Sequence, residues 1–355
     1  MSPATQHLAT HPIRHTPVML GEVMAALAPR DGEVFIDGTF GAGGYSRALL
    51  EAADCTVWAI DRDPEAVSRG RELAARSGGR LTVVAGRYGD MLELLRQHGV
   101  ISVDGIALDI GVSSTQLDDA GRGFSFSADG PLDMRMGAGD AISGPSAYDA
   151  VNTLSEADLA DTIYRYGDER KSRRIAKAII RARTRAPIER TLELADIVRG
   201  AARGTGATGR RGIDPATRTF QALRIYVNDE LGELDRALRA AEHILRPGGR
   251  LAVVAFHSLE DRRVKSFLKT RCGPSARPSR HLPSLSSRGT SRGAAPPFRL
   301  LNRRVIKPSA TEVKHNPRSR SARMRAAVRT EAPPMAVDQA TDSRPSPTAH
   351  DGDNP

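Results

Sequence analysis

Two short β-rich runs, Val34–Ile36 and Thr56–Ile60, each end in an acid, Asp37 and Asp61. Between them the chain passes through Gly38-Thr39-Phe40-Gly41-Ala42-Gly43-Gly44 and a helical stretch from Ser46 to about Ala53. Strand, glycine turn, helix, strand: this order predicts a nucleotide-binding βαβ unit. Glycines let the backbone approach a ligand, and the second acid takes ribose hydroxyls. A dinucleotide fingerprint wants Gly-x-Gly-x-x-Gly. Gly41-Ala42-Gly43 supplies its first half, but Ser46 stands at the third position. Asp37 would repel a pyrophosphate placed beside it, whereas it suits the ammonium and sulfonium of S-adenosylmethionine (SAM). A purely structural turn capped by Asp37 is the remaining alternative.

The pattern repeats downstream. Asp63-Pro64 opens a predicted helix from Glu65 to Arg76, with proline where its missing N–H costs nothing. Strand Leu81–Ala85, helix Met91–His98 and strand Asp104–Leu108, ending in Asp109, follow. Before the first strand, Val18 to Leu27 has helical spacing and stops at Pro29. Strands alternating with helices at these distances predict a parallel sheet covered on both faces.

The alternation lapses after Val112. Residues 113–152 are rich in Ser, Gly, Asp and Pro, and helical text runs from the capping pattern at Ser155 to about Arg185. A further helix spans Leu192 to Arg203, and Gly204 to Gly212 reads as a flexible basic loop. From Pro215 a long helix is expected over about Ala216–Leu245, stopped by Arg246-Pro247-Gly248-Gly249 before a buried strand Leu251–Phe256. Residues 262–329 are strongly basic, with Glu312 their single acid.

The formal charge of +10 favours a polyanionic partner, although an Arg-rich composition alone would also produce it. Cys55 and Cys272 make no disulfide framework or metal cluster, which suits a reducing, cytoplasmic setting. No run approaches the length of a membrane span, and residues 1–14 lack the apolar segment of a signal peptide.

Seven motifs occur in order: Asp37–Gly44, Ala59–Pro64, Leu108–Ser114, Arg122–Phe126, Gly130–Met136, Pro215–Gln221 and Phe256–Arg262. Together they closely resemble the bacterial 16S rRNA cytosine-N4 methyltransferases of the MraW type, over about residues 13–329. The resemblance implies an α/β fold, a Rossmann-like class I SAM-dependent methyltransferase core over 15–116 and 213–329. A helical insertion at 117–212 would recognise substrate, between a flexible arm (1–14) and a disordered tail (330–355). It implies SAM as cofactor and methylation of one cytidine's N4 amine in the decoding region of 16S rRNA. The partner would be the small ribosomal subunit, with no membrane and no metal; monomer and homodimer both remain open.

Site residues carry over by motif. Gly43, Gly44 and Tyr45 should line the methionine part of SAM with exposed backbone N–H groups; Asp61 should take the ribose, and Tyr88 should sit against adenine. Asp109 and Gln116 should close the site. Tyr45 and Tyr88 depart from the family's usual His and Phe, but both keep a planar ring. Methyl transfer is an in-line displacement and chiefly requires alignment. Cytosine's amine is a poor nucleophile, and an acceptor for its N–H bonds would help it. Asp109 is the candidate for that catalytic role; binding cofactor only is its alternative.

Asp133, Arg135, Arg218 and His257 are candidate substrate residues, with structural salt bridging the competing reading. His257-Ser258 lacks the Gly-x-Ser-x-Gly elbow of a hydrolase. Phe124 and Phe126 could stack on an extruded base or plug the insertion. The basic run 262–329 and the insertion would supply phosphate contacts. Two other functional classes stay in view: an NAD-linked oxidoreductase, disfavoured by Asp37 and the missing third glycine, and a non-catalytic RNA-assembly factor, disfavoured by the intact Gly turn, Asp61 and Asp109.

Overall fold

The computed structural model describes residues 17–137, 144–202, 214–273 and 295–335. The expectations for the arm 1–14, the loop Gly204–Gly212 and most of the tail lie outside these residues. Strands β1 (Val34–Asp37), β2 (Thr56–Asp61), β3 (Leu81–Ala85), β4 (Val103–Asp109), β5 (Leu245–Ala255), β6 (Phe298–Leu300) and β7 (Arg323–Arg329) form one sheet. Its order is β3-β2-β1-β4-β5-β7-β6. The first five strands pair in parallel, and β7 runs antiparallel between β5 and β6. The strand order reverses between β1 and β4, and a doubly wound sheet opens its ligand crevice at that point, beyond the carboxyl ends of the strands.

Side-chain alternation explains why both faces are covered. Phe35, Val57, Ala107 and Val254 point to one face, where they meet Val23 and Leu27 of α1 (Leu20–Leu27), Leu49 of α2 (Gly44–Ala52) and Ala66 of α3 (Pro64–Ala74). Ile36, Ile60, Ile106 and Leu108 point to the other, against Met91 and Leu95 of α4 (Met91–Arg96) and residues of two later helices. Each of the larger side chains among these, once buried, contributes about 1.5–3 kcal/mol. After β4 comes the short α5 (Ser114–Asp118).

The insertion is a bundle with its own core. It comprises α6 (Ala147–Thr153), α7 (Glu156–Gly167), α8 (Ser172–Arg183), α9 (Thr191–Ala202) and α10 (Ala216–Asn228). Leu159, Ile163, Ile175, Ile179, Leu194 and Phe220 are buried together there. Two expected long helices are in fact broken. The stretch expected as one helix from Ser155 to Arg185 divides at Asp168, and the one expected over Ala216–Leu245 divides at Asp229; both residues adopt left-handed backbone, with φ of 49° and 50°. The second break reassigns α10 to the insertion, beyond the expected boundary at 212, because it packs on α7 through Phe220 and Leu223. Phe124 and Phe126 prove to be plugs of this core. Phe126 meets Phe220 edge-on at 4.8 Å, and Phe124 lies beneath Arg122.

The chain then returns to the sheet through α11 (Glu230–Ile244), β5 and α12 (Ser258–Arg271). The Pro247-Gly248 turn lies within β5 as an irregularity rather than ahead of it. Below β6, α13 (Ala310–His315) carries Glu312, whose Oε1 accepts the Met19 N–H at 2.7 Å ahead of α1.

The basic run is less free than its composition implied. Met324, Ala326 and Ala327 of β7 are buried. Arg323 and Arg325 pair with Asp261, Arg271 with Glu242, and Arg318 with Asp118. Residues 330–335, expected in the tail, are held against the core. Arg329, itself buried, donates to the carbonyls of Thr330 and Ala332, and Met335 N–H donates to Glu242 Oε1 at 2.8 Å. No helix of the described residues is long and apolar enough to cross a membrane.

Candidate active site

The carboxyl ends of β1, β2 and β4 open into a cavity of about 580 Å³, roofed by α10, the start of α11 and the turn before α12. Asp37 does not line it. Its carboxylate receives both the hydroxyl and the N–H of Ser46, at 2.7 and 3.1 Å, which ties β1 to the first turn of α2. The structural reading of this acid therefore holds. Burial raises its pKa to about 6, against the lowering effect of these hydrogen bonds.

The glycine turn is wound tightly around Phe40. Gly43 has φ 76°, and a Cβ there would stand 2.7 Å from the Phe40 ring, so only glycine fits. Its N–H donates to Phe40 O at 2.6 Å, which leaves it pointing inward rather than at a ligand as expected. Gly44 and Tyr45 do border the cavity. Tyr45 is nearly buried, its hydroxyl donating to Val18 O at 2.5 Å. Asp61 borders the cavity as well, accepting from Gly41 N–H at 2.8 Å and Asp63 N–H at 2.9 Å. Burial raises its pKa.

Asp109 is the most unusual group. Its N–H is fixed by Thr39 Oγ1 at 2.7 Å, while its carboxyl Oδ1 is buried without a partner. Burial, with Asp37, Glu260 and Glu312 nearby, pushes its pKa up to about 8. An unpaired buried oxygen at the edge of a cavity is a strong acceptor awaiting a donor or a cation. Tyr88 forms a neighbouring wall, its phenol held well above its ordinary pKa by burial. Gln116 is buried between Ser113 N–H (3.0 Å) and Asp63 Oδ2 (3.1 Å), so it pins the loop after β4 to the loop after β2.

The far wall comes from helices remote in sequence. Arg224 and Glu230 form a bidentate pair at 2.8 and 2.9 Å. Glu233, fully buried, lies 3.2 Å from Arg62 and 3.8 Å from Arg87. His257 lines the cavity and caps α12, Nδ1 accepting the Glu260 N–H at 3.4 Å. Glu260 in turn accepts from the N–H groups of Phe256 and His257. His257 Nε2 and Glu260 Oε1 lie 2.9 Å apart but misaligned, so neither gains a hydrogen bond. Glu230, His257 and Glu260 bring three ligand-type atoms within 4.8 Å, yet Glu230 is committed to Arg224 and His257 Nδ1 to the backbone.

The substrate-side candidates do not gather. Asp133 and Arg135 bind each other in a bidentate pair, at 2.7 and 2.8 Å, away from the cavity lining. Arg218 is exposed, 3.6 Å from Glu169. Of that group only His257 reaches the cavity. Thr39, Arg224, Glu230, Glu233 and Glu260 were not picked out from sequence. Glu260 carried a signal, an acid three residues after a cap. Glu233 carried none, because its environment is created by arginines on two distant loops.

A parallel sheet with this strand order, acids at the cavity-facing ends of β2 and β4 and an added antiparallel β7 define a Rossmann-like methyltransferase of class I. Residues 12–330 match the MraW methylase family, and the chain belongs to that family. The oxidoreductase reading falls with this match. The chain is 61% identical to Ribosomal RNA small subunit methyltransferase H of Paramagnetospirillum magneticum, covering 91% of this chain and 98% of that protein. It is 58% identical to the protein of the same name from Rhodospirillum rubrum, over 91% and 96%. Among solved structures, an rRNA methylase from Streptococcus thermophilus aligns with a TM-score of 0.36 and 9% identity, over 88% of this chain and 92% of that one, a likeness too loose to argue from.

Proposed function

We propose that this protein uses SAM to methylate the N4 amine of one cytidine in the decoding region of 16S rRNA, acting in the cytoplasm on an assembled or partly assembled small subunit. The observation that carries the reading is the unpaired Asp109 Oδ1 at the edge of a cavity otherwise suited to a nucleoside. The residues present fit the cofactor. Asp61 would take ribose hydroxyls, Tyr88 would lie against adenine, and Gly44 with Tyr45 would border the methionine part. When bound, SAM supplies an electrophilic methyl group.

The remaining work falls to the chain. Asp109 Oδ1 accepts an N–H of the cytosine amine, which favours localisation of the nitrogen lone pair. An amine that has accepted the methyl group would have a proton to lose, and the Asp109 carboxylate, with its pKa near neutrality, is well matched to receive it. His257 and the Arg224–Glu230 pair form the opposite wall, which would hold the extruded base. The relatives named for the small-subunit RNA support the substrate class. The broad helical insertion supports recognition by shape, since no short RNA-reading motif is present.

The test is incubation of purified protein with SAM and small subunits lacking the mark, followed by mass-spectrometric mapping of N4-methylcytidine. One methyl group at a single decoding-region cytidine is expected, at a higher rate on 30S particles than on protein-free 16S rRNA. Methylation elsewhere, or an equal rate on a short stem-loop, would overturn the corresponding part.

A further inference from the structure

We propose a second nucleotide subsite beside the reactive cavity, which seats a residue of the RNA strand flanking the target cytidine; it rests on the rRNA reading above. A shallow basin of about 490 Å³ lies where the C-terminal end of α7 meets α12, lined by Tyr164, Arg165, Asp168, Arg170 and Arg262. Tyr164 is 59% exposed, an uncommon state for an aromatic ring on a helix with an otherwise well-buried face. A ring presented in this way offers a stacking platform for a base, and stacking tolerates any base identity. Arg170 and Arg262, which line the same basin, are exposed.

Two hydrogen bonds link the end of α7, which forms the basin, to chain at the main cavity. Ser258 Oγ donates to Asp168 Oδ2 at 3.2 Å, directly after the cavity-lining His257. Gln221, also in the cavity lining, donates to Tyr166 O at 3.0 Å. The basin and the cavity thus share the corner where α7 meets α10 and α12, so one RNA strand can engage both. Asp168 is the one acid in the basin lining, and it is engaged by Ser258 and lies 3.9 Å from Arg262, so it orients that guanidinium.

A cationic track leads away from the basin. On α8, Arg173, Lys177 and Arg181 are exposed at steps of four, on one face over about 12 Å, and the helix contains no acid. Like charges at this spacing repel each other, and a helix gains nothing from them unless a polyanion lies alongside. The basin and track together fit a single strand: base on Tyr164, adjoining phosphates on Arg170 and Arg262, and the backbone continuing along α8.

The experiment uses the full chain with 30S particles. Tyr164→Ala should raise KM for the particle on the order of tenfold with kcat within about twofold, and Tyr164→Phe should restore it. The pair Arg170→Gln with Arg262→Gln should flatten the slope of log affinity against log salt by about 1.4, as expected for two lost single-strand phosphate contacts. SAM affinity, measured by calorimetry, should be unchanged in every variant, which shows that the fold is intact. Unaltered KM and salt slope in variants of an active enzyme overturn the subsite alone. A wild-type protein that binds SAM but leaves small-subunit RNA unmethylated overturns the rRNA reading and the subsite with it.

Discussion

Asp109 sets the pH behaviour of the cavity. With its pKa at about 8 it is largely neutral at pH 7 in the free protein. A cation placed beside it lowers that value, so SAM binding should release a proton. Affinity should then rise with pH up to about 8 and level off above. Asp109→Asn should remove this dependence and lower kcat more than SAM affinity. Calorimetry in buffers of different ionisation enthalpy reads the proton directly, and a pH-independent wild-type affinity would sink the assignment. The same residue bears on stability. Its folded pKa lies above its unfolded value, so the folded protein holds a proton that the unfolded chain has lost. Stability is complete below about pH 4 for this group and declines as pH rises through 8. In Asp109→Asn that decline should become shallower, as urea melts at pH 6 and pH 8 would show.

Asp61→Ala should weaken SAM binding by about 1–3 kcal/mol, measured by titration calorimetry, with unchanged affinity in a folded variant removing the ribose role. Asp61 and Asp109 were legible in the sequence because each follows an apolar run at a strand end, where a parallel sheet always opens. Asp37 satisfied the same rule and still turned inward. Ser46, nine residues on, supplied two donors from the start of a helix. Strand-end position fixes where an acid lies, while its partners decide which way it faces.

At the scale of elements, period-2 and period-3.6 patterns located β1 to β4, α1 to α4 and α9 to within a few residues, and the second half of β5. They failed where a single residue reversed the chain. Asp168 and Asp229 are non-glycine residues at positive φ, and nothing in a helical pattern announces such a break. They also missed β7, whose arginines read as a charged run although Met324, Ala326 and Ala327 are buried. The C-terminal boundary gives a prediction. A chain cut after Arg329 loses the carbonyls of Thr330 and Ala332 and the Met335 N–H on Glu242. Arg329 keeps the carbonyls of Glu242 and Pro297, so each lost hydrogen bond costs about 0.5–1.5 kcal/mol. The melting temperature should fall by several degrees. A cut after Met335 keeps those contacts and should melt higher than the cut after Arg329, and differential scanning calorimetry of the two truncations compares them.

Over the whole molecule, two hydrophobic centres divide the labour. The sheet and its flanking helices carry the cofactor side of the cavity, while the insertion packs around its own core. Phe220→Ala removes a ring at the centre of the second, which in a well-packed interior costs about 3–5 kcal/mol. Its expected signature is asymmetric: RNA methylation lost at a temperature where SAM still binds. Parallel loss of both, followed by calorimetry and a methylation assay across temperature, would show that the two centres unfold as one.

The antiparallel β7 has a consequence for synthesis. Its partner β5 is complete by Ala255, yet the edge that β7 covers, including buried Ala252 and Val254, stays bare until Arg329 has been made. Met19, near the other end, likewise waits for Glu312. Emerging from the ribosome, the chain therefore carries an open apolar sheet edge from the completion of Ala255 until that of Arg329, a template for mispairing with other nascent strands. Early-terminated products should be sticky and swiftly degraded, and the last strand acts as the seal that commits each copy to its finished shape.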